Sequence, residues 1–461
     1  MSFITYLRKQ ASRGILDIFN ARRKFYNKFS SQQDTIFALS TAQGKAGIAI
    51  IRVSGSKTSE ATTNRLIIHP VTGEMLDHGL VLWFPGPNSY TGEDVAEFHI
   101  HGGISIISGV LAALGSIEGF RHAERGEFTR RAFDNDKLDL TEIEGLADLL
   151  NAETEVQRRQ ALRQAQGSLK NLYETWKKQL IENTALIEAV IDFSEDENIE
   201  DGIFEQVVAR IKQILSMMID HVNDGRRGEI LRDGIHVTLF GPPNVGKSSF
   251  LNCLAQRQAV IVSPIPGTTR DVIEISLNIG GYPVIIGDTA GLRQSDDIVE
   301  IEGIKRAKDR MLSADIKICI LSSVEVLKSL SSNNENSRGI INPLINESMD
   351  KSTFLVLNKS DLLSASDLSH LLYMFFYLNY KSAYYVRYDN SASQVALITQ
   401  SRHRENLINC IHGLQNFLAQ KDIVLAAEEL RYATNALGRI TGRIEVDEIL
   451  DVIFERFCIG K

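Results

Sequence analysis

Short runs of β-branched and other apolar residues, separated by loops and helical segments, mark the stretch from residue 233 to residue 395. The clearest of these runs are Ile235–Phe240, Val284–Ile286, Ile316–Leu321 and Thr353–Leu357. Strands that alternate with helices in this way are typical of a parallel α/β sheet. We therefore predict an α/β domain here, with the Ser- and Asn-rich stretch Ser322–Ser352 as an exposed loop.

Residues 34–125 show another pattern, in which apolar runs such as Ile48–Val53 alternate with Gly- and Pro-containing turns. This pattern predicts an N-terminal α+β domain. We extend that domain to residue 137, because helical periodicity begins at residue 138.

Two regions carry helical periodicity, and neither contains proline, which breaks helices. Leu138–Val190 is rich in strong helix formers, and Thr141 with Glu144 three residues later has the form of a capping box. The segment His403–Phe457 is similar. Apolar residues of the first region stand at helical spacing: Ile143, Leu146, Leu149 and Leu150.

The simplest fold class is therefore multidomain α/β and α. An α/β domain is inserted into a discontinuous helical domain, which follows a separate N-terminal domain. The predicted boundaries are 1–33 for a basic arm, 34–137, 138–232, 233–395 and 396–461.

Charge is distributed unevenly along the chain. The net charge is −8, which argues against a protein that simply wraps nucleic acid. Residues 1–33, however, hold seven basic residues and one acidic residue. This arm has the composition of an organelle transit peptide, and a disordered tail or a start site placed too early are the alternatives.

Composition excludes two further classes. The longest apolar run, 371–378, falls far short of the ~20 residues that span a membrane, so we expect no membrane association. The four cysteines form no CxxC pair, which excludes a zinc ribbon and favours reduced thiols.

A phosphate-binding loop follows the first predicted strand of the α/β domain. Residues 241–248 read Gly-Pro-Pro-Asn-Val-Gly-Lys-Ser, which fits GxxxxGK[ST]. Its glycines let backbone N–H groups surround the phosphates, and the next helix offers its positive N-terminus. In this motif Lys247 reaches the β- and γ-phosphates and the Ser248 hydroxyl binds Mg²⁺.

Three further motifs occur in the order of a GTPase. Asn358-Lys359-Ser360-Asp361 follows a predicted strand, and the Asp361 carboxylate can accept from guanine N1–H and the 2-amino group. Asp288-Thr-Ala-Gly291 supplies an acid near Mg²⁺ and an amide for the γ-phosphate, and Gly267–Asp271 supplies a switch threonine. The Ser-Ala loop that would flank guanine stays ambiguous between Ser382-Ala383 and Ser391-Ala392.

The hydrolytic residues depart from the Ras pattern. Leu292 stands where Ras-like enzymes carry the water-orienting glutamine, and no arginine finger is identifiable. Another group must therefore orient the attacking water. The acids downstream of the motif are the candidates: Asp296, Asp297 and Glu300.

Several segments together resemble the MnmE (TrmE) family of tRNA modification GTPases over residues 34–461. The most specific are 83–94 with 101–103, 126–133, 135–140 and the terminal Phe-Cys-Ile-Gly-Lys. The resemblance implies an N-terminal domain that dimerises and binds folate, a discontinuous helical domain and an inserted Ras-like P-loop GTPase domain.

The implied function is a K⁺-activated GTPase that helps to add a carboxymethylaminomethyl-type group to C5 of the tRNA wobble uridine. A tetrahydrofolate derivative, 5,10-methylene or 5-formyl, would supply one carbon. The flavoprotein MnmG (GidA) would carry FAD and NADH and would join a homodimer of this chain in a heterotetramer. A bacterial cytoplasmic location follows, with mitochondria as the alternative suggested by the basic arm.

The resemblance also implies residue roles. Glu300 would orient the water, with Lys247 and Thr269 as the other catalytic residues; Ser248 and Thr269 would bind Mg²⁺, and Cys458 would lie near the folate or simply be packed. The K⁺ ligands would be Asn244, Ser263, Ile265 and Thr268, and the folate residues Arg52, Glu97, Lys137 and Lys461. The GTP-binding set comprises Asn244, Val245, Gly246, Lys247, Ser248, Ser249, Ser263, Thr268, Thr269, Asp288, Thr289, Ala290, Gly291, Asn358, Lys359 and Asp361.

Two other functions remain open at this point. A ribosome-assembly GTPase shares the phosphate loop, although residues 83–140 and the C-terminal sequence argue against it. A regulatory GTP-binding scaffold with impaired turnover is compatible with the indistinct Ser-Ala loop.

Overall fold

A computed structural model describes residues 34–62, 67–192, 202–242, 244–257, 260–261, 274–288, 314–331, 353–377, 396–442 and 460. The chain forms two compact units. Unit 1 spans residues 1–150, 162–223 and 402–461, and unit 2 spans 151–161 and 224–401. No helix among the described residues is long and apolar enough to cross a bilayer.

Unit 1 begins with a five-stranded sheet in the order β5-β6-β2-β1-β7. β1 pairs in parallel with β7, and the other neighbours are antiparallel. The elements of this part are β1 Thr35–Leu39, β2 Ala46–Ser54, α1 Thr58–Ala61, β3 Ile67–Ile68, β4 Met75–Asp77, β5 Leu80–Phe84, β6 Val95–Gly102, α2 Ile104–Gly115, β7 Phe120–His122 and α3 Glu127–Asp134.

Both faces of β1 are buried, which explains the apolar run Ile36–Leu39. Phe37 packs with Ile51 and Phe98 on one face, in the cluster that α2 covers. Ile36 packs on the other face with Phe128 of α3. The predicted run Ile48–Val53 lies inside β2, so the α+β expectation is confirmed for this region.

The predicted helical region 138–190 is divided into three helices. Of the four apolar residues at helical spacing, Leu150 is 45% exposed, whereas Ile143 is fully buried. In the second predicted region the helix Ile423–Thr441 packs on the helix Ser168–Asp192. The helices of unit 1 are α4 Leu140–Asn151, α6 Ser168–Asp192, α7 Ile203–Val222, α12 Ser401–Ala419 and α13 Ile423–Thr441. Residues 155–161 of α5 Glu155–Ala165 belong to unit 2, as do α8 to α11.

The predicted capping box at the start of α4 is wrong by two residues. The Asp139 carboxylate accepts from the Glu142 N–H at 2.9 Å, and Glu142 Oε2 accepts from the Asp139 N–H at 2.8 Å. Thr141 instead donates its hydroxyl to Asp139, and Glu144 is buried against Arg402 and His403. Both pairs have the capping spacing, and tertiary contacts selected between them.

Unit 2 is built on a six-stranded sheet in the order β13-β12-β8-β11-β10-β9. The first four strands are parallel, as the alternating pattern predicted, and the last two pairings are antiparallel. The elements are α8 Arg227–Asp233, β8 Ile235–Phe240, α9 Lys247–Arg257, β9 Val260–Ile261, β10 Glu274–Ile279, β11 Tyr282–Asp288, β12 Ile316–Ser322, α10 Ser323–Ser331, β13 Thr353–Asn358, a 3₁₀ turn Ser360–Leu362 and α11 Ala365–Tyr377.

Residues 322–331 contradict the predicted exposed loop. Ser322 ends β12 and Ser323 begins α10, and both are buried. Val326 of this helix packs with Phe240 and Leu321, so apolar contacts outweigh the polar composition. The rest of the predicted loop lies outside the described residues.

Candidate functional site

The loop between β8 and α9 has the geometry of a phosphate-binding loop. Gly241 has φ +146°, and a Cβ there would lie 2.2 Å from the carbonyl oxygen of Ile320. Gly246 has φ +97°, and its Cβ would lie 2.3 Å from Asn358 Nδ2. Both positions therefore require glycine, because a side chain would be strained and would collide with its neighbours.

Polar groups gather at the N-terminus of α9. Lys247 Nζ donates to the carbonyl oxygens of Gly241 and Pro242, both at 2.9 Å, so the lysine lies over the loop. Ser248 and Ser249 are exposed in the first turn of the helix. Unpaired N–H groups and the helix dipole favour an anion at such a helix start.

The second motif lies directly against this loop. Asn358 Nδ2 donates to the Val245 carbonyl at 2.7 Å, and Lys359 Nζ donates to the Asn244 carbonyl at 2.8 Å. The two motifs meet because β8 and β13 are both parallel to β12, so their carboxyl ends lie at the same edge. This edge is the place where open α/β sheets bind ligands.

Asp361 lies in the 3₁₀ turn that follows, and its side chain is exposed. Lys359 has φ +59°, so the chain turns sharply between β13 and this turn. The carboxylate is thus open to solvent beside the motif that holds the phosphate loop. It can accept hydrogen bonds from two adjacent N–H donors of a base.

Asp288 ends β11, which pairs with β8, and its backbone is opposite Leu239. The acidic motif therefore begins at the same sheet edge as the phosphate loop. No group of three or more His, Cys, Asp or Glu side chains that could hold a metal occurs in the described ranges. The remaining predicted residues of this site lie outside those ranges: Ser263, Ile265, Thr268, Thr269, Thr289, Ala290, Gly291, Leu292, Asp296, Asp297 and Glu300.

A second polar site lies on the sheet of unit 1. Arg52 of β2 and Glu97 of β6 are opposite each other in the register, and Arg52 donates to Glu97 Oε1 from Nε at 3.1 Å and Nη2 at 2.9 Å. The Arg52 guanidinium also faces the rings of Tyr90 at 5.2 Å and Phe128 at 5.7 Å. Such contacts stabilise a cation and hold its orientation.

These two aromatic residues were missed as site residues from the sequence. They lie in segments that carry the family resemblance, but neither follows a motif spacing that would assign them a role. Tyr90 also bonds through its hydroxyl to Thr129 at 2.8 Å, and burial raises the pKa of Tyr90. It therefore stays a neutral phenol that packs against the arginine.

His99 lies beside this pair, whereas the recorded hydrogen bond of Lys137 is to another segment. His99 Nε2 lies 3.5 Å from Glu97 Oε2 and is buried without a hydrogen-bond partner among the described residues. Lys137 is exposed and donates from Nζ to the Pro87 carbonyl at 2.9 Å. A buried polar atom without a partner is costly, so His99 marks a position where a bound polar group would be stabilised.

The C-terminus reaches the same sheet. The Gly460 carbonyl accepts from Ser40 Oγ at 2.9 Å, just beyond the end of β1. A Cβ at Gly460 would lie 2.2 Å from the Leu39 carbonyl oxygen, and the residue has φ +98°. Lys461 and Cys458 lie outside the described residues.

Comparisons with known proteins match most of the chain. The model of the GTP-binding protein TrmE N-terminus matches residues 35–137, and that of the MnmE helical domain matches residues 140–458. The mitochondrial 5-taurinomethyluridine-[tRNA] synthase subunit GTPB3 of Danio rerio is 47% identical over 466 residues, with 93% of each chain covered. The Homo sapiens protein of that name is 46% identical over 460 residues, again with 93% of each chain covered. The tRNA modification GTPase MnmE of Paramagnetospirillum magneticum is 44% identical over 459 residues, covering 93% of this chain and 100% of that one.

Proposed function

The chain belongs to the MnmE family of tRNA modification GTPases, and we propose that it is a K⁺-activated GTPase acting on the wobble uridine of tRNA. The proposal of nucleotide binding is supported by the direct contact of Asn358 and Lys359 with the phosphate loop. This family assignment removes the support for a ribosome-assembly GTPase. A test of turnover compares GTP hydrolysis in KCl and NaCl at equal ionic strength, where equal rates would refute K⁺ activation.

Asn244 is the described residue that supports a K⁺ site. It has φ +61° and an exposed side chain within the phosphate loop, and its amide oxygen is a neutral ligand of the kind that K⁺ binds. Ser263, Ile265 and Thr268 would complete the set, while Ser248 and Thr269 would hold Mg²⁺. The K⁺ would supply the positive charge that an arginine finger gives elsewhere. Asn244→Ala should abolish the response to K⁺, and a variant that keeps it would exclude Asn244 as a ligand.

Glu300 is proposed to orient the attacking water, since Leu292 cannot. Glu300→Ala should keep GTP affinity but lose turnover by about 10²–10³, the usual effect of removing one positioned electrostatic group. Single-turnover hydrolysis measures the loss, with nucleotide affinity measured in parallel. Turnover close to that of the wild type would assign the water to another residue.

The base specificity is assigned to Asp361. Asp361→Asn should weaken GTP binding and admit xanthine nucleotides, because an amide can donate where xanthine presents a carbonyl in place of the 2-amino group. The Kd values for GTP and XTP give the measurement. A variant with unchanged selectivity would remove Asp361 from the guanine site.

The sheet of unit 1 is proposed to bind a tetrahydrofolate derivative, 5,10-methylene or 5-formyl, through Arg52, Glu97, Lys137 and Lys461. The donor set fits such a ligand, since an acidic group, a fixed cation and the unpartnered His99 Nε2 lie together. Because Arg52 and Glu97 are hydrogen-bonded to each other, we assign both residues to the same end of the ligand. A pterin would place its donor edge on Glu97, and the bound folate would supply a one-carbon unit.

Folate binding is tested by calorimetry on Arg52→Ala and Lys137→Ala. Both should lose affinity for tetrahydrofolate and keep GTP affinity, because the phosphate loop belongs to the other unit. Arg431→Ala is the matched control, since Arg431 also pairs with a glutamate of unit 1, Glu188 at 2.8 Å, but is half exposed. Unchanged folate affinity in both variants, or equal loss in the control, would overturn the assignment.

The partners follow from the proposed reaction. A flavoprotein of the MnmG type would bring FAD and NADH, and this chain would join it as a homodimer in a heterotetramer with tRNA as substrate. Mass analysis of wobble nucleosides from a deletion strain, with and without the chain restored, identifies the group that is added. The relatives include both bacterial and mitochondrial proteins. We propose a cytoplasmic location, with mitochondria as the alternative, and subcellular fractionation distinguishes the two.

A further inference from the structure

A buried serine holds the backbone of the base-recognition motif. Ser323 is 0% exposed, and its hydroxyl donates to the carbonyl oxygen of Asn358 at 2.7 Å. It comes directly after Ser322, which is opposite Asn358 in the parallel pairing of β12 with β13. The hydroxyl therefore extends the ladder of the sheet by one bond, at the point where β13 ends.

Asn358 is the pivot between the sheet and both halves of the nucleotide site. Its side chain holds the Val245 carbonyl of the phosphate loop, and the next residue, Lys359, holds that of Asn244. After this point the chain turns through the left-handed conformation of Lys359 into the turn that carries Asp361. A small rotation of the Asn358 peptide would thus move the phosphate loop contacts and the carboxylate together.

We propose that Ser323 is a positioning residue for nucleotide binding. Its hydroxyl fixes the Asn358 peptide, and this in turn sets the distance between the phosphate loop and the Asp361 carboxylate. Ser323 lies on neither motif, so the sequence pattern does not single it out. The inference rests on the assignment of Asp361 to the guanine base.

Ser323→Ala removes one hydroxyl and leaves the Asn358 carbonyl without that donor. A buried acceptor without a partner is costly, and rotation of the peptide toward another donor relieves the cost. We expect the Kd for GTP and for GDP to rise by about 10-fold, a factor that corresponds to about 1.4 kcal/mol. The kcat at saturating GTP should change by less than about 2-fold, because the hydroxyl is not aimed at the reacting phosphate.

Two matched variants separate positioning from a general loss of stability. Ser369→Ala removes an exposed hydroxyl that also donates to a backbone carbonyl, that of Ala365 at 2.9 Å, on the helix after the motif. Ser323→Thr keeps the donor at the buried position. Binding is measured with fluorescent GDP on the full chain, well below each variant's melting temperature. We expect wild-type affinity for Ser369→Ala and at least partial rescue by Ser323→Thr.

Any of three results overturns the proposal: wild-type affinity in Ser323→Ala, an equal loss in Ser369→Ala, or no rescue by a folded Ser323→Thr. The guanine assignment is tested separately by Asp361→Asn. If Asp361→Asn changes the selectivity, Ser323→Ala can be added to that variant. The second substitution should then raise the Kd for XTP by the same factor by which Ser323→Ala alone raises the Kd for GTP. Unchanged selectivity in Asp361→Asn alone would refute the assignment of Asp361 to the guanine base, whatever the effect of Ser323→Ala.

Discussion

Replacing Glu144 by glutamine should destabilise unit 1 in a way that depends on pH. The Glu144 carboxylate is buried, with Oε1 2.9 Å from Arg402 Nη2 and Oε2 2.6 Å from His403 Nε2. Burial alone would raise the pKa of Glu144, but the charges of His403 and Arg402 outweigh it and lower the pKa from 4.5 to about 2. These contacts join α4 to α12, which precede and follow unit 2 in the sequence.

The magnitude follows from linkage. A carboxyl pKa lowered from 4.5 to about 2 contributes about 3 kcal/mol to the free energy of unfolding at neutral pH. Because the pKa is lower in the folded state, this contribution is complete above pH 4.5 and is lost as the pH falls toward 2. Glutamine resembles the protonated carboxyl, so Glu144→Gln should cost about 3 kcal/mol at pH 7 and progressively less below pH 4.5.

Urea unfolding followed by tryptophan fluorescence from pH 7 to pH 3 measures this difference. Glu155→Gln, in unit 2, is the control for an exposed pair: hydrogen bonds from Arg158 and Arg159 also lower the pKa of Glu155 to about 2, but all three side chains are exposed. Because solvent screens such pairs, the control should leave the urea concentration at the midpoint of unfolding unchanged. Two results would refute this explanation: a loss of unfolding free energy in Glu144→Gln that is equal at pH 7 and pH 3, or a loss that is no larger than in the control.

Other consequences of the geometry are open to direct measurement. Gly246→Ala should abolish GDP binding measured by calorimetry, because its Cβ would lie 2.3 Å from Asn358 Nδ2 at a φ of +97°. Gly460→Ala should weaken tetrahydrofolate binding, since its Cβ would meet the Leu39 carbonyl and displace the C-terminus. Burial raises the pKa of Cys319 to about 12, so mass spectrometry should find its thiol unmodified by iodoacetamide at pH 8, while the exposed cysteine of α9 reacts.

Local patterns were sufficient for some elements and misleading for others. The run Ile235–Phe240 matches β8 residue for residue, because the four residues from Val237 to Phe240 are buried in the sheet although His236 is exposed. The start of α4 was misread because Thr141 with Glu144 and Asp139 with Glu142 have the same spacing. The choice depended on the burial of Glu144 against α12, from a distant part of the chain.

The phosphate loop could be predicted from the sequence, since its glycines, its lysine and the flanking strand and helix are contiguous and their roles are local. The sequence also identified the family, because that match depends on residue identity along the chain. The contacts between distant groups required the folded chain: Asn358 with Val245, Arg52 with Glu97, and Ser323 with Asn358. Those contacts depend on strand order and register, which arise from packing of the whole sheet.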